Sequence, residues 1–131
     1  MGSLTDYEEQ RVMNWMNGQV AFASQTWSFA LFTSAPSDAS GGTEVSGSNY
    51  SRVNFSGSFS SATALTANTT TITFPTCTGA AGAWGTVSCM AVFDATTAGN
   101  MLMWATLTAA KTIATNDVAQ FATGSVTIAI D

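Results

Sequence analysis

Few side chains in this sequence could carry chemistry. The 131 residues include eight Asp and Glu, three Lys and Arg, two Cys and no His. Without an imidazole, neither Ser-His-Asp nor Cys-His machinery can be assembled, and the commonest metal ligand is missing. Zinc would have to draw four ligands from Cys77, Cys89 and scattered carboxylates, and the two thiols do not have CxxC spacing. Cys77 and Cys89 flank a glycine-rich loop and could face each other across neighbouring strands. Two cysteines make no disulfide framework, so buried free thiols are the expected state. Asp38, Asp94 and Asp117 stand in or before turn sequences, where Asp commonly bonds nearby backbone amides. Glycosidase chemistry needs two carboxyls across a groove, and no pair of acids is singled out for it. Gly41-Gly42 and the segment from Gly79 to Gly82 lack the lysine and following helix of a phosphate-cradling loop. The chain therefore reads as a non-enzyme with no cofactor and no metal.

Aromatic side chains are the other chemical resource: four Trp, eight Phe and two Tyr. Trp27, Phe29, Phe55, Phe74, Phe93, Trp104 and Phe121 fall in strand-like segments and are expected to be core. Trp15 and Trp84 fall outside such segments, one on a helix and one in or beside a loop. Exposed aromatics can bind sugars or partner proteins. The plainer expectation for Trp84 is a lid over one end of a sandwich.

The elements that must position these groups begin with one helix over residues 5–17. Thr5-Asp6-Tyr7-Glu8 is a capping box, in which the Thr hydroxyl and the Glu carboxylate satisfy free amide donors. Gly18 stands where a left-handed residue would close the helix. Leu4, Tyr7, Arg11 and Trp15 share a stripe, widened by Val12 and Met16, while Met13 falls outside it. That is more apolar arc than packing on one domain requires, and it suggests a second face for another subunit.

After residue 25 the pattern turns to β. Trp27–Thr33 reads as a strand, and residues 34–49 as a long loop rich in Ser and Gly. A strand region follows over 50–59, with a bend expected at Gly57. Residues 69–74 form a β-branched strand that Pro75 should end. Residues 87–93 and 101–107 make a hairpin across 94–100. Separate last strands are expected at 111–113, 119–121 and 125–130. Seven or eight short strands with turn signals between them predict a mainly β, antiparallel sandwich or jelly-roll-like barrel with one N-terminal α-helix. The organisation expected is a single domain over 1–131, with the sandwich spanning 26–131.

Composition narrows the partners. Hydrophobic residues make up 46% and charged residues 8%, so Ser, Thr, Ala and Gly must cover the surface. A net charge of −5, with the cations Arg11, Arg52 and Lys111 far apart in sequence, offers no footprint for nucleic acid or an anionic membrane. No apolar run is long enough to span a bilayer, and residues 1–9 lack the cationic and apolar regions of a secretory signal. Glu44 and Arg52 are the only oppositely charged pair between residues 39 and 93, and a salt bridge pinning the long loop to the following strand, or a contact across a subunit boundary, is expected there.

One ordered set of segments is more specific. It runs Leu4-Thr5-Asp6-Tyr7-Glu8, then Ala30-Leu31-Phe32-Thr33-Ser34-Ala35-Pro36-Ser37-Asp38, Gly41–Val45 and Ser48-Asn49-Tyr50-Ser51-Arg52-Val53. It continues through Phe74-Pro75, Trp84-Gly85-Thr86-Val87, Val92-Phe93-Asp94-Ala95 and Leu107-Thr108-Ala109-Ala110-Lys111-Thr112. This order resembles a family of small tailed-bacteriophage virion proteins, tail-fibre-like or capsid-associated, over nearly the whole chain. The resemblance implies a structural protein of the virion, made in the host cytoplasm, and brings no catalytic residues.

Two placements follow from it. The first is a capsid decoration (cement) protein bracing the head; the alternative is a tail or tail-fibre component contributing to host-surface or glycan binding. Partners are expected to be sister copies, a trimer being one arrangement, and the major capsid protein or tail proteins. The residues expected at interfaces are Tyr7, Arg11, Met13, Trp15, Met16, Glu44, Arg52 and Trp84.

Overall fold

A computed structural model describes residues 4–21, 26–39, 41–55, 65–79 and 83–129. The helix, α1, spans Asp6–Met16, with Thr5 as its N-cap accepting from the Glu8 amide and Gly18 in the left-handed region after it. Asp6, Glu8 and Glu9 put negative charge in the first turn, where the helix dipole favours it. Thr5 also fixes the helix to the sheet. Its hydroxyl donates to the Met101 carbonyl and its amide to the Leu102 carbonyl at 3.0 Å.

Among the described residues nine strands follow: β1 Trp27–Ser34, β2 Thr43–Glu44, β3 Val53–Phe55, β4 Leu65–Ala67, β5 Ile72–Thr76, β6 Gly85–Phe93, β7 Met101–Ile113, β8 Val118–Phe121 and β9 Thr127–Ala129. All pairings are antiparallel. The large sheet runs β2-β1-β6-β7, and β3 also pairs β1. Since β6 takes one edge of β1 over residues 28–32, β2 and β3 divide the other edge between them. Two smaller pairs, β4-β9 and β5-β8, lie over one face.

Period-two alternation decides which face is which. Phe29 and Leu31 pair with Val92 and Met90, and these four join Ile72, Phe74, Ala119 and Ile128 in one buried cluster. The sheets therefore meet face to face as a sandwich and do not close into a barrel. Each fully buried Phe or Leu here contributes roughly 1.5–3 kcal/mol of apolar burial. The opposite face of the large sheet carries Ala30, Phe32, Cys89, Ala91 and Phe93, also buried, so β1 is apolar on both sides.

Several expectations are corrected. The long loop over 34–49 is interrupted by β2, a two-residue strand that Phe32 and Ser34 recruit through their own backbone. Pro75 does not end its strand: β5 runs to Thr76, and the proline sits where the register with β8 shifts. A bulge tolerates the missing donor. The segments 101–107 and 111–113 are one strand, yet the pairing jumps from Cys89↔Thr106 to Val87↔Lys111. Residues 107–110 therefore bulge out opposite Ser88 alone, a larger insertion than the usual two-against-one β-bulge. β4 had no counterpart in the sequence reading. The strand expected over 50–59 is seen as Val53–Phe55, and Gly57, Phe59, Gly82 and Ile130 lie outside the described residues.

Candidate interaction surface

The helix meets the sheet through a polar side chain. Glu8 is buried and pairs with Arg11 at 2.7 Å. Burial raises the Glu8 pKa above the ordinary carboxylate value, while Arg11 pulls it back in part. The stripe of Leu4, Tyr7, Arg11 and Trp15 is thus not the buried one. Tyr7 is 38% exposed, and Met13, Trp15 and Met16 are 55%, 51% and 68% exposed, with Val20 at 51% in the turn beyond. Arg11, half-buried, holds its guanidinium 5.8 Å from the Tyr7 ring centre. The helix N-terminus was placed well by the capping box, but its inward side is set by the Thr5 anchor to β7.

Glu44 and Arg52 form the expected ion pair, doubly bonded at 2.8 Å through Nε and Nη2. The Arg52 side chain is almost buried. It donates to the carbonyls of Ala95 and Ala98 at 3.1 and 2.7 Å and lies 3.5 Å from the Phe93 ring centre. Tyr50 donates to Glu44 Oε1 at 2.9 Å and accepts from the Leu31 amide. Burial raises the Tyr50 pKa well above the ordinary phenol value, so the hydroxyl keeps its proton. Glu44, Phe93 and the loop after β6 converge on this arginine, which clamps the 94–100 loop to the 44–52 segment. Beside it a groove of about 400 Å³ lies among Thr5, Phe32, Asp38, Gly42, Phe93 and Met101.

Trp84 is a correction. It is buried, its indole N–H donates to the Ser48 carbonyl at 3.1 Å, and its ring meets Tyr50 edge-on at 5.3 Å. The indole satisfies its one donor inside the fold, so no lid and no exposed platform result. The left-handed backbone at Ser48 and Asn49 presents that carbonyl, a conformation the sequence around Trp84 does not signal. Cys77 and Cys89 are free and buried, but they lie in the two different apolar clusters and so do not face each other.

Besides Glu8 and Glu44, three carboxylates have structural partners. Asp94 accepts from the Asn100 backbone and side chain, and Asp117 accepts from the Ala114 amide. Asp38 departs from the local-turn expectation and accepts from the Trp104 indole at 3.3 Å across the fold. Among the described residues no three His, Cys, Asp or Glu side chains gather as a metal site would need.

Two features escaped the sequence reading. Asn68 is buried, donates to Thr70 and Ala122 carbonyls and accepts from the Val126 amide, so it clasps the β4-β9 end. A second groove, about 510 Å³, opens between the 107–110 bulge and β8, and Leu31 and Val87 of the core form part of its wall. Lys111 lies at this groove, a position that sequence spacing alone gives no reason to expect.

Comparison with known proteins returned one family model, described as podophage GP4 fiber I protein gp80, matching residues 3–129. No curated protein matches the chain.

Proposed function

The chain belongs to the podophage GP4 fiber I protein gp80 family and is a structural protein of the tailed-phage virion, and from that premise we propose that it is a fibre subunit rather than a decoration of the head. The family description carries this reading. It replaces the order of preference given by sequence alone, in which head decoration came first.

The subunit works by binding and not by catalysis. Glu8, Asp38, Glu44, Asp94 and Asp117 are each engaged in an ion pair or hydrogen bond within the fold. Their engagement in the fold supports a binding role over the paired free carboxylates that bond hydrolysis requires. Assembly uses the outer side of α1, whose exposed methionines and half-exposed Trp15 are out of keeping with a helix that serves only its own sheet. Its partners are sister copies and neighbouring particle proteins.

Quantitative mass spectrometry of purified particles tests the placement. A fibre subunit should be present in about 3–18 copies per particle, as tail symmetry dictates, whereas a head decoration should number in the hundreds. Hundreds of copies would overturn the fibre reading.

A further inference from the structure

The two surface features without a role in the fold's own stability lie at opposite ends of one strand. Residues 4 and 5 dock on β7 at Leu102 and Met103, which places α1 at the beginning of that strand. The 510 Å³ groove lies at its far end, around Thr108, Ala109, Lys111 and Ile113. At about 3.3 Å per residue the two are on the order of 20 Å apart along β7. In this fold neither α1 nor the turn after it lines the groove.

Their chemistries match. Met13 and Met16, one turn apart, and Val20 in the following turn make an exposed apolar knob. Methionine suits an irregular slot because its unbranched thioether adapts to the available shape. The groove wall is apolar, from Leu31, Val87, Leu107, Val118 and Phe121, and its one charged residue is Lys111. The knob sits at the helix C-terminus, the negative end of the helix dipole, and the last turn of α1 carries no basic residue. The helix is otherwise acidic at Asp6, Glu8 and Glu9. Arg11 and Arg52 are both engaged in ion pairs, whereas Lys111 has none among the described residues. A cation at the mouth of the groove therefore meets a helix end that lacks one.

We infer that the groove between the 107–110 bulge and β8 receives the C-terminal end of α1 from a second copy of this chain, with Met13, Met16 and Val20 inserted and Lys111 against the last helical carbonyls. The contact is head-to-tail. Because each copy carries the knob at one end of β7 and the hole at the other, repetition extends along a single direction or closes into a ring. The inference deepens the fibre reading and rests on it for the identity of the partner.

Two full-length variants test it by sedimentation velocity over a range of protein concentrations. One carries Met13→Glu and Met16→Glu, which spoils the knob. The other carries Ala109→Trp and Lys111→Glu, which fills the groove and reverses its charge. Both pairs are exposed, and unchanged circular dichroism with a melting temperature within a few degrees of wild type establishes that each variant folds. Should Ala109→Trp disturb the fold, Lys111→Glu alone serves as the groove variant.

Wild type should associate with rising concentration, and each variant alone should do so at least tenfold more weakly. An equimolar mixture of the two should form a dimer and nothing larger, since only one intact knob and one intact hole are then present. A monomeric wild type, a variant that associates normally, or a mixture that stays monomeric would each overturn the inference. Copy number in the particle is unaffected by these outcomes, so failure here is distinguishable from failure of the fibre reading.

Discussion

Replacing Arg52 with Ala should be among the most damaging single changes near the surface. The guanidinium holds Glu44 in a two-bonded pair, donates to two loop carbonyls and lies over Phe93, with only 9% of its side chain exposed. Removing one partner of a buried pair costs about 3–5 kcal/mol. Glu44 retains 26% exposure, so water can recover part of its solvation. The Ala98 carbonyl is also near solvent, and the separate contacts do not add. A loss of about 2–4 kcal/mol follows, or roughly 8–15 °C in melting temperature for a chain of this length.

Arg52→Lys should recover less than half of this, because an ammonium cannot bond both carboxylate oxygens and two carbonyls from one plane. The assay is urea and thermal unfolding followed by circular dichroism, with Glu44→Ala and the double variant completing a cycle. Arg11→Ala serves as a control. Its pair with Glu8 is one i, i+3 bond at 2.7 Å, against four hydrogen bonds made by Arg52, so the cost should be smaller even though the Glu8 side chain is only 10% exposed. If Arg52→Ala costs no more than Arg11→Ala, or the cycle shows no coupling with Glu44, the clamp does not hold the loops as described.

Two further outcomes are expected. Asn68→Ala leaves the Val126 amide and the Ala122 and Thr70 carbonyls short of partners at a buried site, and should destabilise by about 2–4 kcal/mol. Asn68→Asp should cost at least as much in chemical denaturation at neutral pH, since a charged acceptor then faces two carbonyls. For Glu8, burial raises the folded-state pKa above that of the unfolded chain, so the folded form binds the proton more tightly. Its contribution to stability should therefore rise as pH falls through the raised value and level off below the ordinary carboxylate value. The stability of wild type relative to Glu8→Gln, measured by urea unfolding from pH 7 towards pH 4, should increase; a decrease would reverse the assigned sign.

What the sequence made legible was local. Thr5 as N-cap and Gly18 bound the helix closely because each acts within one turn, whereas the return arm of the capping box is not made: Glu8 pairs with Arg11 and the Thr5 amide donates to Leu102. Glu44 and Arg52 could be paired because no competing opposite charges lay between residues 39 and 93. The separation of 101–107 from 111–113 sensed a real break, which the fold accommodates as a bulge within one strand. Non-local geometry was hidden. β2 exists only because β1 offers it an edge, and Trp84 is buried only because Ser48 adopts a left-handed conformation that aims a carbonyl at it. The inward side of the helix was misjudged because hydrophobic periodicity assumes apolar contact, whereas Thr5 and Glu8 make a polar one.

The bulge at 107–110 bears on how so uncharged a protein guards the edge of its sheet. β7 is thirteen residues long, and from Thr106 to Thr112 it carries one charge, Lys111. An extended, exposed border of this kind ordinarily acts as a template on which further strands add without limit. By throwing four residues out of line, the bulge cuts that border into a six-residue and a three-residue piece. The longer piece is also covered by Leu4 and Thr5, which pair with Met103 and Leu102, so the bulge and the helix anchor together take on the gatekeeping that charge supplies in most other proteins.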